Sequence, residues 1–438
     1  MIKRLISAFA SIVLMLAASP QSEAAKKVWD YPVSQLNPRL IGGPSTLHVA
    51  KVELAPDETI VQIRIWGDGG HRVKFAPTTS LRADGQTYAL RSIEGIEPGS
   101  WIVIPSSCVT DVRLHFDPLP EGTDTFDFIE SKSKKAFNLT GIRERDTSLE
   151  SSNWRDELTG DWVIGFYPDF AVYDTRVWDY AAKDFDRGTF VLTDGDSSLT
   201  VKAGKEKSGR RTLKIGDREV NAGRILGYAN DTYPAEGRVT SFKDNGYRTG
   251  DSVTICGYLK DVSKEFLAVS GEMSVAFDDL FTAEKRIFSS PIDSTGRFCL
   301  KFPVHNTQTV RFDRYRIKQT IPVEPGEKYF FFYDCNNNQR LWMGDRSRLL
   351  NELAAHEVID WPETRDKRTG KEIAEALASF NDAMSARIDS VADAYPTLSP
   401  MWADWLKEYA LEQCAFYAGQ SRFNTSSKRI PEAVNLFI

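Results

Sequence analysis

The chain has 438 residues, with 55 Lys and Arg against 61 Asp and Glu and a formal net charge of −6. Its basic residues are interspersed with acids, which argues against a nucleic-acid partner, because phosphate binding needs a net basic face. The five cysteines are odd in number, far apart and never three residues from one another. That excludes a disulfide-stapled scaffold, a Cys-x-x-Cys redox motif and paired-Cys zinc knuckles within these residues.

Lys3 and Arg4 precede an apolar run over 5–18, and Ser22-Glu23-Ala24 has the small-x-small form of a signal-peptidase site. Residues 1–24 therefore read as a leader, and the product as exported, periplasmic or in the cell envelope. The run is short for a membrane span and no Cys follows to take a lipid, so no transmembrane anchor is expected in the mature chain. From 25 to 146, short alternating segments at 47–49, 60–66, 87–91, 101–104 and 112–116 are punctuated by Asp84-Gly85, Pro98-Gly99 and Asp117-Pro118. They predict a first antiparallel β-sandwich. A second β-rich domain covers 147–249, with strands at 190–192, 199–201 and 213–215 around the turn pairs Asp194-Gly195 and Gly216-Asp217; this too is expected to be a sandwich. The basic stretch 202–211 reads as its solvated hairpin turn. A third sandwich covers 250–342, where Val253, Ile255 and Leu259 alternate and Asp293 to Gly296 turns into another strand. Cys256 and Cys299 are each out of phase with the apolar positions of their strands; a bridge between them is open, with unpaired structural thiols the favoured expectation.

After Gly344 the period changes from 2 to 3.6. The segment 343–438 is thus helical, so the fold class is mainly β, as consecutive small antiparallel sandwiches, with a C-terminal helical segment. Ile373, Leu377, Phe380, Met384, Ile388, Val391 and Tyr395 form one helix stripe. Another helix opens with Ser399 as N-cap and Pro400 at its first position, and carries Trp402, Trp405, Leu406, Tyr409, Phe416 and Tyr417. Pro431 opens a further amphipathic turn through Val434, Phe437 and Ile438 with no cap after it, which predicts a partner segment beyond residue 438.

No catalytic, cofactor-binding or metal-ligating residue is predicted. Residues 204–211 imitate a phosphate loop, but Arg210 and Arg211 stand where its Lys and Ser or Thr belong. His356-Glu357 lacks the second His of a zincin, and His48, His71, His115 and His305 are isolated. Asp278-Asp279 reads as a solvated acid pair. One constellation is dense: Trp162, Phe166, Tyr167, Phe170, Tyr173, Trp178 and Tyr180 put seven aromatics in nineteen residues. They suit either a platform stacked on a sugar ring or peptide or, the favoured reading, a domain core.

Several segments carry more. Phe126 to Glu130 after Asp117 to Pro120, Asp169 to Tyr180, Val253 to Lys260, Asp293 to Phe298, Glu324 to Tyr329 and Leu341 to Leu353, in this order, resemble the long N-terminal accessory region of exported TlpA-like thiol-disulfide oxidoreductases. The resemblance implies a thioredoxin-like domain beyond residue 438, bearing the family's Cys-x-x-Cys, and client proteins as its partners. It implies a non-catalytic docking, spacing or client-presenting role for these residues. The alternative is a free-standing carbohydrate- or envelope-binding module using the seven aromatics.

Overall fold

Alternation of apolar and polar side chains gives each strand one face for a core, and this pattern organises the chain up to Gly344. The computed structural model describes residues 27–424 except 38–44, 68–69, 106–108, 146–147, 208, 227–232, 244–249, 270, 280–283, 315–316, 336–338 and 365–368. The fold is mostly β, 46 % strand and 17 % helix, with a C-terminal helical segment. The expected leader, the turn at Pro431 and Cys108 lie outside the described residues. No helix among those described is long and apolar enough to cross a membrane.

The first unit is a nine-stranded sheet. Its spatial order is β1 (Lys27–Asp30), β3 (Ser45–Leu54), β4 (Thr59–Gly67), β9 (Val109–Phe116), β7 (Gln86–Ile93), β6 (Ser80–Ala83), β10 (Thr125–Ile129), β11 (Leu139–Arg143) and β2 (Val33–Leu36). The sheet folds over at β7, so strands far apart in this order face each other. Trp29 of β1 stacks on Phe126 of β10 at 5.8 Å, and Phe116 of β9 meets Phe128 edge-on at 5.9 Å. A small ribbon, β5 (Arg72–Val73) with β8 (Ile102–Val103), completes this sandwich.

The second unit is a closed barrel, not the expected sandwich. Its eight strands are β12 (Ser152–Asp156), β13 (Trp162–Phe166), β14 (Phe170–Tyr173), β15 (Arg176–Asp184), β16 (Thr189–Thr193), β17 (Ser198–Ala203), β18 (Arg210–Ile215) and β19 (Arg218–Arg224). Each pairs antiparallel with the next, and β19 returns to β12, with Arg224 opposite Trp154. Closure removes both sheet edges. Trp154, Phe166, Phe190, Leu192, Val201, Leu213 and Ile215 fill the interior.

The third unit is a sandwich of two four-stranded sheets. One has the order β23 (Arg297–Pro303), β20 (Ser252–Lys260), β26 (Lys328–Asp334), β27 (Arg340–Gly344); the other β22 (Lys285–Pro291), β21 (Glu272–Asp278), β24 (Gln308–Arg314), β25 (Ile317–Val323). Pairing is antiparallel except between β20 and β26. A short helix, α1 (Lys264–Val269), connects β20 to β21. Cys256 and Cys299, directly opposite one another on β20 and β23, are bonded to each other, which corrects the expectation of unpaired thiols. The phase mismatch that set each Cys apart from its strand's core positions is what puts both on the same outer face.

Three helices follow: α2 (Ser347–Ala355), α3 (Gly370–Ala394) and α4 (Pro400–Asn424). A capping box of Thr369 and Glu372 opens α3, and Ile373, Leu377, Met384, Ile388 and Val391 of the expected stripe are buried. The base of the α3–α4 hairpin, including Met384, Ile388, Trp402, Leu406 and Tyr409, enters the core of the third sandwich. The distal half forms its own small core of Ile373, Leu377, Cys414 and Ala418. At the start of α4, Ser399 Oγ accepts from the Val239 N–H at 2.9 Å, and the Met401 N–H donates to the Val239 carbonyl.

Arg348 on α2, 1 % exposed, donates Nε to Glu352 at 2.9 Å. Its other nitrogens donate to the carbonyls of Thr159, Pro234, Glu236 and Thr397. Removing one partner of such a pair strands a buried charge, so Arg348→Met is expected to cost about 3–5 kcal/mol of stability. The double variant Arg348→Met/Glu352→Leu should recover part of that loss, as read from urea unfolding midpoints.

A second test uses pH. Burial, aided by the Arg64 guanidinium, pushes the His356 imidazole down to about 4, and His48 is lowered well below 6.5 by the same causes. A depressed folded-state value means stability present above the unfolded value near 6.5 and lost as pH falls toward 4. Acidification over that window should cost on the order of 3 kcal/mol through His356 alone. The thermal midpoint of a His356→Phe variant should fall less steeply over the same range.

Candidate functional site

The seven aromatics between 162 and 180 divide between two packing environments. Trp162, Tyr167 and Phe170 leave the barrel wall and pack against Phe330, Phe332, Leu341 and Met343 on the outer face of β26 and β27. Tyr167 stacks on Phe332 at 5.6 Å, and Phe170 stands perpendicular to Tyr258 at 4.9 Å. Phe166 lies on Phe190 at 4.8 Å inside the barrel. Trp178 is buried there and donates Nε1–H to the Tyr173 carbonyl at 2.9 Å, while Tyr173 and Tyr180 are half-buried against the same core. The Tyr180 hydroxyl donates to the Tyr167 carbonyl at 3.1 Å. These rings hold the barrel together and seat it on the third sandwich.

An open aromatic surface lies elsewhere. A groove of about 910 Å³ runs between the outer face of β21 and β24 and one face of α4. Its α4 wall is Trp405, Glu408, Tyr409, Glu412, Gln413 and Phe416, a spacing of three and four that keeps them on one helix face. Trp405 and Tyr409 stack at 5.4 Å, and the Tyr409 hydroxyl is hydrogen-bonded to Thr320, so this part of the wall is fixed. Trp361 sits at one end, 43 % exposed, edge-on to Tyr409 at 6.4 Å, and Phe416 is 56 % exposed. The sheet wall contributes Phe277, Asp278, Gln308 and Arg311.

The charge on this groove is unbalanced, with Glu408 and Glu412 both exposed. Glu408 and Glu412, one turn apart, have no ion-pair partner among the described residues. Desolvation and the neighbouring Glu408 carboxylate raise the Glu412 pKa above the ordinary value. Gln308 Nε2 is buried without an acceptor. With Asp278 on the opposite wall and Arg311 as the counter-charge, the groove is net acidic and aromatic, which suits a ligand bearing positive charge next to apolar or planar groups. The two glutamates share one wall, an arrangement for holding a cation rather than for flanking a scissile bond.

Other expected features fall into place as follows. Residue 208 of the basic stretch lies outside the described residues; β17 and β18 on either side pair antiparallel, and Glu206 is held by Arg211 at 3.1 Å and by Arg224 at 3.0 Å. His115 lies between Glu58 and Glu94. Asp279 pairs with Arg286, while Asp278 stays exposed. Among the described residues, no group of three or more His, Cys, Asp or Glu is arranged to hold a metal. The sequence reading grouped Trp405, Tyr409 and Phe416 on one helix but not with Trp361. The available signal was that Trp361 lies between Asp360 and Pro362, outside any apolar stripe. Comparisons with protein-family models, curated proteins and solved structures found no match.

Because the folded-state value of Glu412 is raised, its contribution to stability is complete below the unfolded value near 4.5 and is lost as pH rises through the folded value. Glu412→Gln should therefore raise the thermal midpoint at pH 7 and leave it unchanged at pH 4. An equal gain at both values would count against this.

Proposed function

We propose that these residues form the non-catalytic, client-holding accessory region of an exported TlpA-like thiol-disulfide oxidoreductase. In this reading the groove beside α4 grips an extended, positively charged client segment. The observation that carries it is the pair of unpartnered carboxylates, Glu408 and Glu412, set among Trp361, Trp405, Tyr409 and Phe416 in one open groove. Like charges one helical turn apart repel, and a Lys or Arg side chain lying between them removes that repulsion while its stem covers the rings. Support for the family comes from the order of the motifs along the chain. The mechanism is positional: a client held here has a high effective concentration at a thioredoxin-like domain tethered to the same chain.

The test is titration calorimetry with a short synthetic peptide of alternating Lys and Phe, and with a neutral glucose oligosaccharide as the competing probe. Peptide binding should weaken about tenfold in Glu412→Gln and in Trp361→Ala, and should weaken further with salt and as pH falls through the raised Glu412 value. Oligosaccharide binding of equal strength in wild type and Glu412→Gln would replace the client reading with the carbohydrate-binding one.

A further inference from the structure

The other sheet of the third sandwich carries a disulfide on its outer face. Cys256 and Cys299 face each other on β20 and β23, and β23 is the edge strand of its sheet. Cys299 is exposed and Cys256 half-buried. Period-2 alternation puts Arg297 and Lys301 on the same face of β23 as Cys299, while Phe298, Leu300 and Phe302 point into the core. The register places Tyr258 opposite Arg297 and Thr254 opposite Lys301, and Lys328 of β26 beside Thr254. Arg297 and Lys301 thus flank Cys299 along its own strand, and Lys328 lies two strands over on the same face. Of the acids near it, Asp334 and Asp261 are both held by Lys260, at 3.0 and 2.7 Å, and Asp293 acts on Arg297. Arg297 stacks its guanidinium over Phe170 of the barrel at 4.5 Å and keeps a buried Nε without a hydrogen-bond partner.

We infer that the Cys256–Cys299 bridge is a thiol-disulfide exchange site for a protein dithiol. Thiolate nucleophiles and thiolate leaving groups are both favoured by nearby positive charge, and attack needs an accessible sulfur; the edge-strand Cys299 supplies the sulfur and Arg297, Lys301 and Lys328 the charge. The attacking thiolate forms a mixed disulfide with Cys299 Sγ. The Cys256–Cys299 bond breaks, its electron pair leaves on Cys256, and that thiolate takes a proton. The partner's second thiolate then attacks its own bridged sulfur and releases Cys299. Two electrons and two protons pass to the pair, and the partner becomes a disulfide. Contacts besides the bond hold these strands: β20 has seven registered positions with β23 and seven with β26, and Val253, Ile255 and Leu259 are buried beneath it. This site goes beyond the groove and stands without it, since a groove that binds nothing leaves the exchange chemistry untouched.

The experiment treats the full chain with dithiothreitol at pH 7, traps thiols with a maleimide and locates them by mass spectrometry while circular dichroism follows the fold. Cys256 and Cys299 should become labelled with the spectrum unchanged. Lys301→Glu should slow reduction about threefold or more, and Lys301→Arg should restore it. A dithiol protein whose second cysteine is replaced by Ser should be captured on Cys299 and not on Cys335 or Cys414. A bridge that opens only in denaturant, a Lys301→Glu rate equal to wild type, or capture at another cysteine would each overturn the inference.

Discussion

A guanidinium with no route to water has to be answered within the protein, and Arg348 is answered by four separate stretches of chain. Its nitrogens reach the turn between β12 and β13 at Thr159, the segment after the barrel at Pro234 and Glu236, the α3–α4 connection at Thr397, and Glu352 one turn along its own helix. Glu352 in turn accepts the Ser399 N–H at 3.1 Å. Each stretch is far from the others in sequence, so a single side chain fixes how barrel, connecting segment and helices meet. The approach is tight: a Cβ on Gly237 would lie within 2.7 Å of Thr159 backbone, and Gly237 has φ +73°. Buried pairs of this kind add little net stability. The hydrogen bonds to carbonyls of fixed position instead specify one arrangement among many.

The same connecting segment explains the second layer of organisation. The Val239 carbonyl accepts the Met401 N–H at the start of α4 while its own N–H donates to Ser399 Oγ; further on, the Lys243 N–H donates to Glu324 at 2.7 Å and its ammonium to Glu327 at 2.9 Å. Glu324 and Glu327 are buried, and Arg346 also pairs with both. Desolvation raises the Glu327 pKa, opposed by the Tyr329 hydroxyl and Lys243 that hold it. Acids buried in the body of the protein therefore have cations or donors on them.

Legibility in the sequence followed how local each constraint is. Strand alternation and the α3 stripe were readable because they depend on neighbours two to four residues apart, and the change of period after Gly344 marked the start of the helices. Barrel closure was not, because the pairing of Trp154 with Arg224 joins strands at opposite ends of the unit, and a barrel strand alternates just as a sandwich strand does. The aromatic run from Trp162 to Tyr180 was legible as unusual but not as divided, since which rings face inward and which face β26 depends on the partner sheet. Ser399 was readable as a helix start, yet its hydroxyl serves Val239, a residue 160 positions earlier. Groove residues escaped grouping for the same reason: Trp361, Gln308 and Glu412 meet only through tertiary packing.

Against a body in which buried acids have cations or donors on them, the groove beside α4 gathers exposed acids that, among the described residues, have none. Its carboxylates stand a helical turn apart without a cation between them, and two of its rings, Trp361 and Phe416, are left half in water while Trp405 and Tyr409 are buried. Trp405 and Tyr409 of its wall belong to the core of the third sandwich, and the distal half of the α3–α4 hairpin is held by its own small core, while Trp361, Glu408, Glu412 and Phe416 belong to neither. Exposed rings and like charges that neither core uses are surface open to another molecule. Under the proposed function, charge and rings together select a cation carried on an apolar or planar frame.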